Sequence, residues 1–164
     1  PAISNNTDSD MTGIIVAGVD VNGTAYVIED HTGNYSPQAW AAKAVELYRE
    51  HMADRIVAEK NQGGDMVRHT LHTEDETLPI RLVHASRGKM ARAEPVSALY
   101  EQGRVKHVRG LNDLEDQMVQ WEPLGSMGSP DRLDAMVWAI TDLSLNGYAK
   151  PQLKLAYSSA KGLL

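Results

Sequence analysis

Two short apolar runs, Gly13 to Val19 and Thr24 to Ile28, are separated by Asp20-Val21-Asn22-Gly23. The Asn-Gly pair between them predicts a tight β-hairpin turn. Downstream of the hairpin, helix and strand patterns alternate. Ser36-Pro37 predicts a helix start, with serine at the N-cap and proline at the first helical position. Trp40, Ala44, Leu47 and Tyr48 then recur along one helical stripe. Arg55 to Glu59 predicts a short strand of the kind buried on both faces. A helix is expected over 64–73, and a strand from Ile80 to Ala85 after Pro79. The next helix covers about Lys89 to Gln102 and ends at Gly103. Val105 to Val108 predicts a short strand, and Asn112 or Asp113 opens a helix through about Trp121. Ser129-Pro130-Asp131 repeats the Ser-Pro helix start, and Leu133, Met136, Val137, Ile140 and Leu143 supply its core stripe. A hairpin first, then strands separated by helices, predicts an α/β fold with a mixed sheet flanked by helices. From Asn146 the pattern fades, so residues 146–164 are expected as a loosely ordered extension to a domain over 1–145.

At 164 residues the chain suits one domain with a real core. It has no cysteine, which excludes disulfides, thiolate catalysis and cysteine-containing zinc sites. No apolar run is long enough to span a membrane, and no secretory signal pattern opens the sequence. GxxxxGK[ST] and GxGxxG are both absent, which argues against ATP hydrolysis by this segment. Its six histidines form no HExxH motif, and no GxSxG elbow supports a serine hydrolase.

The formal charge of −6 by itself disfavours nucleic-acid binding. Its distribution does not. Arg81, Arg87, Lys89, Arg92, Arg104, Lys106 and Arg109 face only Glu94 and Glu101 within the segment 81–109. Seven basic against two acidic residues make that segment +5 and leave −11 for the rest. Because fields are screened within ~8–10 Å, a local basic patch can hold phosphate inside an acidic domain. A solvated helix face with flanking strands is the plainer reading of the same segment.

The candidate chemistry lies in carboxylates at the ends of elements. Glu59 closes the apolar strand Ile56-Val57-Ala58, at the carboxyl end where open α/β sheets place their sites. It could equally reach solvent or pair with Lys60. Asp131 and Asp134 share a helix face at i, i+3. Asp131 falls in the first turn, where the helix dipole favours an anion. Asp134 lies between Leu133 and Met136-Val137, in the core-facing half, where a carboxylate is costly unless paired or metal-bound. Such oxygen ligands suit Mg²⁺ or Mn²⁺. Two such ions ~3.5–4 Å apart can drive phosphodiester cleavage. A surface Asp pair with Arg132 is the alternative.

Four motifs in order carry a family resemblance: Thr12-Gly13-Ile14-Ile15-Val16-Ala17-Gly18; Arg55 through Asp65, with Glu59-Lys60-Asn61-Gln62-Gly63-Gly64 inside it; Ser86-Arg87-Gly88-Lys89 with Arg92-Ala93-Glu94-Pro95-Val96; and Ser129-Pro130-Asp131-Arg132-Leu133-Asp134-Ala135. Together, from about residue 10 to 143, they resemble the C-terminal nuclease domain of phage terminase large subunits, the DNA-packaging motors of tailed phages. The resemblance implies an RNase H-like fold, akin to RuvC-type resolvases. It implies a two-metal endonuclease using Mg²⁺ or Mn²⁺ to cut concatemeric double-stranded DNA. Glu59 and Asp134 would be metal ligands and catalytic residues, with Asp131 sharing the site. Arg87, Lys89 and Arg92 would hold DNA phosphates, and Asp10 and Asn61 would be accessory. Implied partners are the terminase ATPase domain, the small terminase subunit and the portal, in the cytoplasm of a bacterial host, with no membrane. The family also carries a first strand ending in a catalytic Asp. No apolar strand precedes Pro1-Ala2, so that strand and the ATPase half are expected to lie outside these residues.

Two other readings stay open. One is an RNase H-like module that docks DNA, the portal or the ATPase domain without catalysis. The other is a different RNase H-like nuclease, such as a resolvase.

Overall fold

The structure, a computed structural model, describes residues 11–60, 65–122 and 130–146. Strands β1 (Ile15–Val19) and β2 (Ala25–Asp30) pair antiparallel as the hairpin the sequence predicts. Its turn is looser than a two-residue Asn-Gly turn. Asp20 pairs with Thr24, the Gly23 amide donates to the Asp20 carbonyl, and Gly23 takes φ 85°. That is a three-residue loop closed by a left-handed glycine. Asp20 Oδ1 accepts from the amides of Asn22 and Thr24, so the side chain fixes the loop from inside.

Helix α1 (Pro37–Glu50) begins where predicted, with Ser36 Oγ accepting from the Ala39 amide. Its most buried residues are Ala41, Val45 and Leu47. Trp40, Ala44 and Tyr48 flank them, so the core face is rotated slightly from the predicted stripe. Strand β3 (Ile56–Glu59), helix α2 (Asp65–Glu74) and strand β4 (Ile80–Val83) come next. β3 and β4 pair in parallel, with Glu59 beside Val83. Helix α3 (Lys89–Glu101) ends before Gly103 (φ 67°), then come β5 (Val105–His107) and α4 (Asn112–Gln120). Helix α5 (Asp131–Ile140) continues into a π-helical segment, Thr141–Leu145. Here Pro130 occupies the N-cap position. The predicted cap, Ser129, and the expected C-terminal extension, apart from Asn146, lie outside the described residues, as do Asp10, Asn61, Gly63 and Gly64.

The α/β class holds, with one departure in the sheet. Among the described residues the strands form two sheets: β1-β2-β5, with β5 parallel to β2, and β3-β4. The predicted burial of β3 on both faces is overturned, because all four of its residues are only half-buried. β3 pairs with β4 alone, and no other strand among the described residues lies along its second edge. β1, likewise paired on one side, is half-buried throughout, whereas Ala25 and Val27 of β2, which has a strand on each side, are fully buried.

Each sheet has its own core. One gathers Ala25, Val27, Val96, Leu99, Val105 and Leu114 with Leu133, Met136, Val137 and Ile140 of α5. The other gathers Ala41, Val45, Leu71 and Leu78, with Ile56 and Ile80 packed against it. Helix α5 links the two. It packs on β1, and its π-helical continuation carries the buried Asp142, which pairs with Arg55 before β3 and Arg81 of β4, both at 2.7 Å.

Candidate active site

The site forms where the carboxyl end of β3 meets the amino ends of α3 and α5. Glu59 sits there because β3 runs in parallel with β4 and ends at that edge; the Lys60 amide donates to the Val83 carbonyl just beyond it. Asp134 is placed by the first turn of α5, where its amide donates to the Pro130 carbonyl. The start of α5 is fixed from behind by Gly13. A Cβ at Gly13 would run into the Asp131 carbonyl oxygen and lie 2.9 Å from Ala135 Cβ, so only glycine lets the chain before β1 approach that closely.

Two cations from the first turns of α3 join the two carboxylates. Lys89 Nζ lies 2.8 Å from Asp134 Oδ2. Arg92 spans the pair, with Nη1 3.3 Å from Glu59 Oε1 and Nη2 3.3 Å from Asp134 Oδ1. Trp138, one turn beyond Asp134, lies under the guanidinium with its ring centroid 4.8 Å from Arg92 Cζ. The Arg92 side chain is only 11% exposed, against 40% for Lys89. Arg92 Nε and Trp138 Nε1 are buried without a hydrogen-bond partner among the described residues.

This arrangement inverts an ordinary preference. Helix N-termini favour anions, yet the first turn of α3 carries no acid. Lys89 and Arg92 stand there instead, facing the carboxylates of β3 and α5. The first turn of α5, by contrast, carries Asp131 and Asp134, in line with its dipole. An anionic ligand near the start of α3, or a cation between Glu59 and Asp134, would each find opposite charge ready.

The structure therefore brings together Glu59, Asp134, Lys89 and Arg92, four of the residues singled out from sequence. Asp131 lies one turn before Asp134 on α5, and its side chain makes no ion pair or hydrogen bond among the described residues. Arg87 is exposed in the loop before α3. Four of the seven residues of the basic segment pair with acids of the protein: Arg81 with Asp142, Lys89 and Arg92 with the site carboxylates, and the exposed Arg109 with Glu29 at 2.7 Å. Arg87, Arg104 and Lys106 are exposed.

Sequence reasoning missed Trp138 and Asp142. A signal was present. Asp134, Trp138 and Asp142 recur at i, i+4 and i+8, a polar and aromatic stripe beside the apolar stripe of α5.

Carboxylate oxygens are the donors that Mg²⁺ and Mn²⁺ prefer, and in that respect Glu59 and Asp134 fit. Among the described residues no group of three or more His, Asp or Glu side chains is arranged to hold a metal.

The chain belongs to the terminase RNaseH-like domain family, whose model matches residues 1–143. No curated protein matches the chain. Among solved structures, the yeast mitochondrial Holliday junction resolvase Ydc2 is similar at a TM-score of 0.48 and 11% identity, over 80% of this chain and 74% of that one. No helix among the described residues is long and apolar enough to cross a membrane.

Proposed function

We propose that residues 1–145 act as the metal-dependent DNA endonuclease domain of a phage or prophage packaging terminase, cutting double-stranded DNA at Glu59 and Asp134. The observation that carries this reading is the joining of those two carboxylates, 75 positions apart in sequence, at one strand end and one helix start. Family membership supports it, since terminases act on DNA during packaging. Glu59 and Asp134 would hold Mg²⁺ or Mn²⁺, with Asp131 supplying a further carboxylate from the same helix and Asp10 and Asn61 accessory. Held by these carboxylates, divalent ions would supply water activation and charge neutralisation at the leaving oxygen. Lys89, Arg92 and the exposed Arg87 form the cationic border that a phosphate backbone would meet. The ATPase domain, small subunit and portal would be the partners, in the cytoplasm of a bacterial host.

The test is nicking of supercoiled plasmid by the full-length protein in Mn²⁺. Wild type nicks, while Asp134→Asn and Glu59→Gln each lose at least about a hundredfold, the scale of removing a group used in the transition state, with circular dichroism unchanged. Undiminished nicking by Asp134→Asn overturns the site. The second reading, a docking module without catalysis, draws on one observation: both carboxylates already face protein cations. Plasmid binding without any metal-dependent nicking would favour it.

A further inference from the structure

Lys89 and Arg92 contact the same carboxylates but are held differently. Arg92 is stacked on Trp138, is nearly buried, and reaches each carboxylate only at 3.3 Å. Charge-assisted hydrogen bonds of full strength run at about 2.7–2.9 Å. Its place is therefore set by the tryptophan as much as by the acids. Lys89 reaches Asp134 Oδ2 at 2.8 Å, on a flexible stem at the first residue of α3, and is 40% exposed. The α3 dipole opposes an ammonium at that position. Asp134 thus presents one oxygen to an arginine stacked on Trp138 and the other to a more exposed lysine on a long aliphatic stem.

Resting on the nuclease reading, we propose that Lys89 is a built-in competitor of the divalent cation: its ammonium neutralises Asp134 in the metal-free site and leaves Oδ2 when the metal binds, while Arg92 stays on Trp138. The ammonium and a divalent ion seek the same oxygen, and both cannot sit within bonding distance of it without strong repulsion. Metal binding would then release the Lys89 ammonium from Asp134 Oδ2, leaving its charge for a phosphate. The site would carry an unneutralised Asp134 in neither state.

Calorimetric titration of the DNA-free full-length protein with Mn²⁺ at low salt tests this. Lys89→Gln should bind Mn²⁺ about two- to fivefold more tightly than wild type, the range an ion pair of a partly exposed lysine can exert. Mn²⁺ should also raise the Tm of Lys89→Gln more than that of wild type, since tighter binding to the folded state stabilises it more. Lys106→Gln removes the same charge from the exposed β5 residue and should leave Mn²⁺ affinity unchanged. Unchanged or weaker Mn²⁺ binding in Lys89→Gln overturns the proposal, as does equal tightening in Lys106→Gln or no binding in any variant. A merely structural lysine would lower Tm without moving the Mn²⁺ affinity. Failure of the nuclease-site reading has a separate signature: Mn²⁺ binding that Asp134→Asn leaves intact.

Discussion

At the residue scale, single atoms decide the geometry of the site. Gly13 is the clearest case, because a methyl there would meet the Asp131 backbone, which cannot swing aside as a flexible side chain can. Gly13→Ala should cost about 1–3 kcal/mol, the usual range for overpacking, and push Asp131 and Asp134 off the β3 edge. Urea unfolding checks the first effect; a midpoint equal to wild type would contradict the close approach. Away from the site, the Thr77 hydroxyl and then Arg49 hold the Asp75 carboxyl at about 2, below its ordinary 3.8. A depressed carboxyl stabilises the fold above its unfolded pKa, and that contribution is lost as pH falls from about 4 towards 2. Asp75→Asn should therefore lower the urea midpoint at pH 6 and converge with wild type near pH 2. Equal midpoints at pH 6 would contradict it. Glu29 and Glu115 share the same sign, held low first by hydrogen bonds from His31 and His107 respectively.

At the scale of elements, α5 and its π-helical continuation run beside β3 with charge contacts at both ends. From Asp134 to Asp142 is about 12 Å of helix. From Arg55 to Glu59 is about 13 Å of strand. The lengths match, so Arg92 joins the acids at one end while Asp142 takes Arg55 and Arg81 at the other. Asp142 is 3% exposed, which makes its charge costly without those arginines. Asp142→Asn should destabilise by about 1–3 kcal/mol, below the ~3–5 kcal/mol for breaking a fully buried pair because both arginines remain partly hydrated. A loss below about 0.5 kcal/mol in denaturant unfolding would mean the clamp does not hold β3 in place.

This scale also separates what sequence discloses from what it hides. Ser36-Pro37, the glycine-closed hairpin and the strand ending in Glu59 are set by nearest neighbours, so local pattern reveals them. Asp134 stood out because a carboxylate in an apolar stripe conflicts with local expectation. Arg92 joins acids 33 and 42 residues away, and Asp142 reaches Arg55 across 87. Such pairings depend on how the sheets and α5 come together, and no local spacing encodes them. The half-burial of β3 escaped for the same reason: an apolar run shows that a strand can be covered, and its neighbours determine whether it is.

At the scale of the whole molecule, two hydrophobic cores meet along a line of charges. Glu59–Arg92, Asp142 with Arg55 and Arg81, and the approach of His51 to Glu29 at 3.3 Å all cross from one core's elements to the other's. The candidate site is the end of that line. A terminase RNaseH-like domain built this way places its acids where the two halves meet, so the separation of Glu59 and Asp134 depends on how those halves are joined. The most direct test of the central claim is an anomalous-difference map from a crystal of the protein soaked in Mn²⁺. The account predicts a peak about 2.2 Å from an oxygen of Glu59 and from Asp134 Oδ2, with Lys89 Nζ withdrawn from that oxygen. A well-ordered site with Lys89 still on Asp134 and no peak between the two carboxylates would contradict it.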